Sequence, residues 1–305
     1  MPSRHVFVVG NAAVDETIVV EDFPVAGSSI HGQVIGQDLG GKGLNQAVVI
    51  ARCGVPTTLV AAIGNDARAD IIRDGLADEP LQCVFLSTAY PTDSSIILRD
   101  RLGDNANITT TASANCLDAQ AVFSALSSAT PADVLIIQGN LSSEAARACL
   151  ERAKSIGMTA VANPSPYREY FASLWSFIDT VFVNESEAKL LSDDGQRFDP
   201  DFCWSKGMKA VVRSLGEKGA ELHRPATSFF IPAIKVPVQD TTGAGDVFLA
   251  ASLSSALNRN GMIDDIAIGH GVRAASIAVA REGTFRALPT REELRSVLVL
   301  PRPEL

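Results

Sequence analysis

Residues 240–257 read DTTGAGDVFLAASLSSAL, and this stretch decides the fold of the chain. Gly243 and Gly245 disfavour a helix, whereas residues 247–257 contain no helix breaker. The pattern predicts a glycine-rich loop that turns into a helix at about Gly245. The first N–H groups of a helix have no partner within it, and glycines let an anion approach them closely. The stretch therefore predicts a phosphate site at a helix N-terminus.

Asp246 directly follows this loop, so its carboxylate would lie beside the bound phosphate. Like charges repel, and an acid at this position needs a task, such as taking a proton from an attacking hydroxyl or holding a cation. The alternative is structural, because the helix dipole stabilises an acid in the first turn. For the loop taken alone, the two interpretations are about equally favoured.

The chain of 305 residues is long enough for one large α/β domain or two smaller ones, and its 46% hydrophobic residues are ample for a core. A net charge of −9 and a pI near 5.0 argue against nucleic-acid and membrane-surface binding, which favour a basic face. The five cysteines form no C-x-x-C pair and support neither a disulfide framework nor a zinc site. No apolar run suits a signal sequence or a membrane span. We therefore expect a soluble, cytoplasmic protein with reduced thiols.

Apolar strands and helices alternate along most of the chain. Strands are predicted at residues 6–9, 57–63, 134–138, 158–163, 180–183, 209–213, 219–224 and 228–231. Helices are predicted at residues 44–53, 66–77, 117–128, 143–156, 166–177, 185–191, 263–280 and 290–298, besides the one that begins near Gly245. Uniformly apolar strands between helices predict a mostly parallel central sheet covered on both faces, a three-layer α/β/α fold.

A second, smaller sheet is predicted from polar, β-prone segments. Strands at residues 17–20 and 32–38 join strands at 94–99 and 107–111, which flank a hairpin turn centred on Gly103. Such a sheet could cover a site as a lid or pair with its copy, and a homodimer through the lid is expected. The predicted division gives residues 15–39 and 93–111 to the β lid, and residues 1–14, 40–92 and 112–305 to the α/β domain.

Polar residues follow several predicted strands, where ligands bind in parallel sheets. These clusters comprise Asn11, Asp15, residues 40–45, residues 138–140, Asn163, residues 184–187 and residues 214–219. Turn chemistry alone places Asn, Asp and Gly after strands, so any one cluster is more often structural than functional, by about two to one. Their joint placement at one edge favours a ligand site.

Residues 36–43 read GQDLGGKG and form a second glycine-rich loop that leads into a helix. They match G-x-x-x-x-G-K, but a P-loop needs Ser or Thr next for its magnesium, and Gly43 stands there. We therefore reject a P-loop. Lys42 remains a candidate cation that faces a ligand, because the dipole at a helix start disfavours a positive charge.

Three segments, in order, resemble the ribokinase family of sugar kinases. Residues 240–246 (DTTGAGD) resemble its C-terminal signature, residues 40–47 (GGKGLNQA) its N-terminal one, and residues 184–187 (NESE) its N-x-x-E element. The resemblance extends over nearly the whole chain, including the lid segments. It implies a ribokinase-like fold and an ATP-dependent kinase for the primary hydroxyl of a furanose sugar, with D-ribose as the first candidate.

The resemblance also implies a role for each matching residue. Asp246 would be the base that takes the proton from the sugar, with N–H groups for the γ-phosphoryl group from Gly243, Ala244 and Gly245. The implied sugar site consists of Asn11, Asp15, Gly41, Lys42, Asn45 and Asn140. Asn184 and Glu187 would organise Mg²⁺ and the triphosphate of ATP. The implied nucleotide pocket adds Ser214, Gly216, Gly219, Thr242 and His270.

Some positions depart from the family pattern. An acidic residue is common where this chain has Asn140, and Asn is common where it has Ala13, so two sugar hydrogen bonds are altered and Asn11 could compensate. A potassium site in the family involves the Asp240 side chain and carbonyls near Thr242, Ala278, Arg281 and Gly283, together with a Ser at the position of Ala287. A potassium requirement is therefore left open.

Other functions remain compatible with the sequence. Within the family, the substrate could be another pentose, a hexose, a nucleoside or a sugar phosphate, although a sugar phosphate would want more cations at the sugar end. A dinucleotide oxidoreductase would share the sheet, but the G-x-G-x-x-G fingerprint is missing after the first strand. A non-catalytic sugar or nucleotide sensor could keep both glycine loops, and an ADP-release assay separates it from a kinase.

Overall fold

The secondary structure is taken from a computed structural model that describes residues 4–101 and 105–299. In chain order its strands are β1 (Val6–Val9), β2 (Ala13–Val20), β3 (Gly32–Gly40), β4 (Thr57–Ile63), β5 (Gln82–Ser87), β6 (Ser94–Arg99), β7 (Asn105–Thr109), β8 (Val134–Gln138), β9 (Thr159–Asn163), β10 (Thr180–Asn184), β11 (Ala210–Ser214), β12 (Gly219–Arg224) and β13 (Thr227–Pro232). The α-helices are α1 (Lys42–Arg52), α2 (Ala67–Leu76), α3 (Ala119–Ala125), α4 (Ser143–Ile156), α5 (Glu185–Ala188), α6 (Pro200–Ser205), α7 (Ala244–Leu257), α8 (Asp265–Val279) and α9 (Arg291–Leu298).

Within the described ranges, nine strands form the larger sheet in the order β13-β12-β11-β10-β9-β8-β1-β4-β5. Neighbouring strands are parallel throughout, except that β12 runs antiparallel to both β11 and β13. The mostly parallel central sheet predicted from the sequence is thus confirmed. Its parallel strands all end at one edge, and that edge carries the polar clusters.

Alternate residues of the central strands enter two separate apolar cores, because successive side chains of a strand point to opposite faces. In β1, Val6 and Val8 belong to one core, and Phe7 and Val9 belong to the other. Helices α1, α2, α7, α8 and α9 pack into the first core, whereas α3, α4, α5 and α6 pack into the second. The predicted three-layer α/β/α arrangement is therefore confirmed.

Helix α7 is buried almost all round, from Asp246 to Ala256, and packs against α1 and α8. Its sequence is apolar on every face, which is typical of a helix inside a protein. No helix in residues 4–101 and 105–299 is long and apolar enough to cross a membrane.

The smaller sheet has the order β3-β2-β6-β7. Strand β2 pairs antiparallel with β3 and parallel with β6, and β6 pairs antiparallel with β7. The two predicted pairs of strands therefore do join into one sheet. The hairpin turn predicted around Gly103 lies outside the described residues.

Several predicted elements differ from the structure. The helix predicted at residues 166–177 is wrong, because this segment forms two short 3₁₀ turns, Glu169–Ser173 and Trp175–Phe177. Aromatic side chains are poor helix formers, and here Phe171 and Trp175 are buried in the core instead. Strand β5 and helix α6 were not predicted, and α5 is shorter than the helix expected at residues 185–191.

Candidate active site

Asp246 lies in the first turn of α7, and its carboxylate is held by two amide side chains from α1. Asn45 Nδ2 donates to Asp246 Oδ2 (3.2 Å), and Gln46 Nε2 donates to Asp246 Oδ1 (2.8 Å). Asp246 is only 4% exposed, so these bonds replace contacts with bulk water. The packing of α1 against α7 thus brings the two glycine-rich loops, which precede these helices, to one place.

Gln46 is itself held by amides at the ends of neighbouring strands. Its Oε1 accepts from Gln138 Nε2 (2.8 Å), and its Nε2 also contacts Asn163 Oδ1 (3.3 Å). Asn163 Nδ2 in turn donates to the carbonyl of Phe182 (3.0 Å). This network fixes which end of the Gln46 amide faces Asp246. We did not predict a role for Gln46, although it stands in the GGKGLNQA segment.

Four buried side-chain oxygens at this edge of the sheet have no hydrogen-bond partner among the described residues: Asp15 Oδ1, Asn45 Oδ1, Gln138 Oε1 and Asn140 Oδ1. All four residues are at most 5% exposed, and Asp15, Asn45 and Asn140 are among the residues predicted to bind the sugar. Unpaired buried acceptors are rare in proteins and call for an explanation. Hydroxyl groups of a ligand are the donors that would satisfy them.

Asp15 accepts a hydrogen bond at its other oxygen, Oδ2, from Thr284 Oγ1 (2.8 Å). Burial raises the pKa of Asp15 to about 6, although hydrogen bonds from Thr284 and Ser95 oppose this shift. Asp38 of β3 accepts from the backbone N–H groups of Thr284 (3.1 Å) and Arg286 (3.0 Å). The smaller sheet is therefore tied to the loop after α8 beside Asp15, and no sequence pattern predicted the role of Thr284.

The first glycine-rich loop packs tightly against the turn after β1. A Cβ on Gly40 would collide with the carboxylate of Asp15, and a Cβ on Gly41 would lie 2.7 Å from the carbonyl oxygen of Asn11. Gly41 also has a φ of +97°, a conformation that side chains rarely adopt. Asn11 is 1% exposed, and its carbonyl accepts from the N–H of Leu44 (3.1 Å). These glycines let the backbone approach β1 and β2 closely.

The second glycine-rich loop has open space in front of it. Gly243 caps α7 with a φ of +75°, and a Cβ on Gly245 would meet no atom within 4 Å. Gly245 borders a cavity of about 80 Å³ whose lining also includes Lys42, Asn184, Glu187 and Ser214. Some residues of each predicted group thus line one cleft at the carboxyl edge of the larger sheet: Lys42 for the sugar, Gly245 for the phosphate, Asn184 and Glu187 for magnesium, and Ser214 for the nucleotide.

Asn184 and Glu187 form a reciprocal capping box at the start of α5. Asn184 Oδ1 accepts from the N–H of Glu187 (2.8 Å), and Glu187 Oε2 accepts from the N–H of Asn184 (3.0 Å). Glu187 is half-buried and keeps Oε1 outside this box. The described residues contain no cluster of three or more His, Cys, Asp or Glu side chains that could hold a metal. This donor set fits Mg²⁺, which is commonly held by one or two carboxylates together with substrate phosphates.

The predicted nucleotide residues differ in their surroundings. Ser214 ends β11 and lines the cleft, and Gly216 has a φ of +57° and open space around it. A Cβ on Gly219 would instead collide with the carbonyl oxygen of Ile231, so this glycine lets β12 pack against β13.

His270 is not brought into the cleft. It is 1% exposed and lies between α8 and α7, with its Nδ1 hydrogen-bonded to Ser255 Oγ (2.7 Å). Ser255 belongs to the last turns of α7, and the glycine loop precedes the first turn. The expected contact between His270 and the nucleotide therefore finds no support in its position. The sequence located the helix but not the face on which His270 lies.

The two segments of the expected cation site do meet. Asp240 Oδ1 accepts from the N–H of Thr242 (2.9 Å), and Asp240 Oδ2 contacts the N–H of Gly283 (3.4 Å). The carbonyl of Ala278 accepts from the N–H of Arg281 (3.0 Å), whose side chain pairs with Glu293. Ala287 is 1% exposed and offers no side-chain oxygen.

The sequence matches the model of the pfkB family carbohydrate kinases over residues 3–291. Among curated proteins, the ribokinase of Staphylococcus aureus is 30% identical over 309 residues, which cover 97% of this chain and 100% of that protein. Among solved structures, the ribokinase of Thermotoga maritima is 27% identical with a TM-score of 0.84, covering 96% of this chain and 98% of its own. The ribokinase of Cryptococcus neoformans in complex with ADP is 25% identical with a TM-score of 0.82, covering 97% and 99%.

Proposed function

The chain belongs to the pfkB family of carbohydrate kinases, and we propose that it transfers the γ-phosphoryl group of ATP to the primary hydroxyl of a furanose sugar. D-Ribose is the first candidate substrate, because the relatives named above are ribokinases. One observation carries the proposal: the buried Asp246 carboxylate, held by Asn45 and Gln46, directly follows Gly245, which lines the cleft together with Asn184, Glu187 and Ser214.

In the proposed reaction, Asp246 accepts the proton of the primary hydroxyl as the oxygen attacks the γ-phosphorus of ATP. A bond forms between this oxygen and phosphorus, the bond from phosphorus to the bridging oxygen breaks, and ADP leaves with the electron pair. The N–H groups of Gly243 and Gly245 stabilise the charge on the transferred group. The N–H of Ala244 donates to the carbonyl of Thr241 (3.2 Å) and would have to exchange this partner for the phosphoryl group. Asn45 and Gln46 hold the carboxylate in place, since positioning supplies much of the rate of phosphoryl transfer.

The unpaired oxygens of Asp15, Asn45 and Asn140 support a polyhydroxylated substrate, because each can accept a hydrogen bond from a sugar hydroxyl. With Asn11, Gly41 and Lys42 they form the proposed sugar site. Another pentose, a hexose or a nucleoside is a second candidate substrate. Ala13 and Asn140 favour it, since both depart from the pattern of ribokinases at the sugar end.

Mg²⁺ is proposed to be organised by Asn184 and Glu187, which the donor chemistry of the capping box supports. When bound, the ion would neutralise charge on the phosphates of ATP. The nucleotide pocket would use Ser214, Gly216, Gly219 and Thr242. A monovalent cation such as K⁺ would lie between Asp240 and the segment around Ala278, Arg281 and Gly283, where most donors are backbone carbonyls. The loss of a hydroxyl at Ala287 predicts a weaker requirement for this cation.

We further propose that residues 15–39 and 93–111 form a lid over the α/β domain of residues 1–14, 40–92 and 112–305, and that lid closure excludes water. The lid is also the proposed dimer interface. Strand register places four apolar side chains on the face of the sheet opposite to Asp15: Ile18, Val34, Ile96 and Ile108. Val34 is 55% exposed and Ile108 is 61% exposed, so covering this face would remove apolar surface from water.

The dimer proposal has a direct test. Ile108→Lys places a charge on the outer face of the lid, and sedimentation should show a shift from dimer to monomer while thermal stability stays close to that of the wild type. A wild-type protein that sediments as a monomer at high concentration would refute the lid interface.

The five cysteines are all unpaired, which supports the proposed cytoplasmic location.

An ADP-release assay with a panel of pentoses, hexoses and nucleosides tests the function. We expect ATP- and Mg²⁺-dependent turnover, with the highest kcat/KM for ribose. Asp246→Asn should lower kcat by on the order of 10³-fold with nucleotide binding retained. Glu144→Gln is the matched control, because Glu144 is also a first-turn acid but is exposed on α4. Equal kcat values in both variants would show that Asp246 only stabilises its helix, and absence of ADP release with every substrate would refute the kinase.

A further inference from the structure

A second cavity, of about 370 Å³, lies at the edge of the larger sheet opposite to the active-site cleft. Its wall includes Val134, Thr159, Thr180 and Ala210, which are the first residues of β8 to β11. The cleft is at the other end of these strands, about 15 Å away for a strand of five residues. None of the residues proposed for catalysis, sugar, nucleotide or cation lines this cavity.

The cavity is positively charged although the whole protein carries a net charge of −9. Its charged lining residues are Arg4, Arg224, Lys209 and Asp179, which give a net charge of +2. Lys209 Nζ pairs with Asp179 Oδ1 (2.7 Å), and Asp179 Oδ2 accepts from the N–H of Ala160 (2.8 Å). The single carboxylate is therefore already engaged, and the two guanidinium groups account for the excess charge.

Neither guanidinium group has a hydrogen-bond or ion-pair partner in the part of the chain that the structure describes. Arg224 Nε is buried and has no hydrogen-bond partner among the described residues, which is rare for a buried N–H group. The Arg4 guanidinium lies over Gly261, where a Cβ would collide with it, and Gly261 has a φ of +81°. Arg4 thus packs against the backbone at a position where only glycine leaves enough space. An arginine in solvent would not require a glycine beside it.

Apart from Thr159 and Thr180, the rest of the wall is apolar, and the side chains of Leu253, Leu257 and Ile263 contribute to it. Small-molecule sites commonly measure about 300–1,000 Å³ and combine an apolar wall with a few polar groups that fix orientation. Guanidinium groups match phosphate oxygens in geometry and charge. A phosphate monoester, with about two negative charges at neutral pH, complements a net charge of +2.

We propose that this cavity is a second ligand site, which binds a small phosphate monoester with an apolar or aromatic body. The phosphate lies between Arg4 and Arg224, and the body contacts the aliphatic wall. Leu257 is eleven positions after Asp246 on α7, about 16 Å along the helix axis, so the second ligand and the reacting groups do not touch. The site is independent of the identity of the sugar.

Calorimetric titration of the full chain with phenyl phosphate tests the proposal, with saturating ADP present so that the active-site cleft is occupied. We expect one phenyl phosphate per chain. Arg224→Met and Arg4→Met should each raise Kd by about tenfold or more, because each removes one charge-assisted contact. Arg68→Met should leave Kd within about twofold, since Arg68 is exposed on α2 and its loss changes the net charge equally.

Three results would overturn the proposal. The first is no saturable binding of phenyl phosphate once ADP is present. The second is the same Kd for Arg224→Met and Arg68→Met in proteins whose thermal unfolding shows that both are folded. The third is equal affinity for benzyl alcohol or benzoate, which would indicate an apolar cavity or a general anion site rather than one for phosphate monoesters.

Discussion

Two glycine-rich loops each lead into a helix that reaches the same cleft, yet the space around their glycines differs. In the first loop, a Cβ on Gly40 or Gly41 would collide with or crowd Asp15 and the backbone of Asn11. In the second loop, a Cβ on Gly245 would meet nothing within 4 Å. The first loop uses glycine to bring protein against protein, whereas the second leaves open space beside Gly245 that a ligand can enter.

The same glycine-rich sequence pattern therefore serves two structural roles, close packing in the first loop and open space in the second. Substitution in the first loop should affect folding as well as activity, because the added atoms have no space in the native state. Substitution of Gly245 in the second loop should affect the reaction with ATP and leave stability nearly unchanged. The following predictions test this separation, from the largest expected effect to the smallest.

Gly41→Ala should lower the free energy of unfolding by about 2–5 kcal/mol, which combines a strained left-handed backbone with crowding against Asn11. Urea unfolding measures this loss. Gly54→Ala is the matched control, since Gly54 also has a positive φ (+80°) but has no atom within 4 Å of a Cβ. Gly54→Ala should lose only about 1–2 kcal/mol. Equal losses in the two variants would mean that the first loop is not tightly packed.

Gln46→Leu tests the contact between the two loop–helix segments. Gln46 lies on the helix after the first loop and donates to Asp246, which follows the second loop. The variant should lower kcat by about 10²-fold through misplacement of the carboxylate, with the KM for ATP within about twofold of the wild type. Gln120→Leu on the exposed surface of α3 should leave kcat unchanged. Normal kcat in Gln46→Leu would exclude a positioning role for this amide.

Gly245→Ala should reduce kcat/KM for ATP by about tenfold, equivalent to ~1.4 kcal/mol, because the methyl group occupies space beside the N–H groups that would hold the phosphate. The free energy of unfolding should stay the same or rise by up to about 1 kcal/mol, since alanine favours a helix more than glycine does. Steady-state kinetics and urea unfolding are measured on the same preparation. If Gly245→Ala were destabilised and its ATP kinetics were unchanged, the glycine of the second loop would serve packing rather than ligand binding.

The pH dependence should show the smallest effect. With a pKa of about 6, Asp15 is mostly ionised at pH 7 and mostly protonated at pH 5.5, so kcat/KM for the sugar should fall by about fourfold between these values. Asp15→Asn should lose this step of the pH profile, although its activity is lower throughout. A wild-type profile that is flat from pH 5.5 to 7 would contradict the raised pKa.

Protein stability should respond to Asp15 in the opposite direction. Between about pH 4 and pH 6 the native state keeps a proton on Asp15 that the unfolded state releases, so the free energy of unfolding falls as the pH rises through this range. Asp15→Asn should remove this slope, which thermal unfolding across the same pH range can measure.

The elements that the sequence predicted best are defined by local signals. Strand β8 was predicted with its observed bounds from a continuous apolar run, and α4 with its observed bounds between a capping serine and Gly157. The helix predicted at residues 166–177 was wrong because the burial of Phe171 and Trp175 outweighed a helical pattern. This burial depends on the rest of the fold. Strand β5 lies at the sheet edge and is partly exposed, so its apolar signal is weak.

In the candidate site, too, the features that could be predicted are those with local signals. Glycines and Asp246 could be predicted because the geometry of a helix start depends on neighbouring residues. The contacts of Gln46 with Asp246 and of Thr284 with Asp15 join residues 200 and 269 positions apart, and no local pattern encodes them. His270 shows the limit of local signals. It was expected in the nucleotide pocket, but it lies on the face of α8 that contacts α7.

The amide network around Asp246 has a consequence for the route of the proton. Gln46 and Asn45, which contact the carboxylate, are uncharged side chains that do not titrate in water, and Gln138 extends the same chemistry inward. In the proposed mechanism, a proton that Asp246 takes from the acceptor would therefore have no relay through these neighbours. It must leave through the mouth of the cleft with the departing products or with solvent. Each catalytic cycle would thus be completed only when the enzyme opens, and solvent isotope effects should report on that opening.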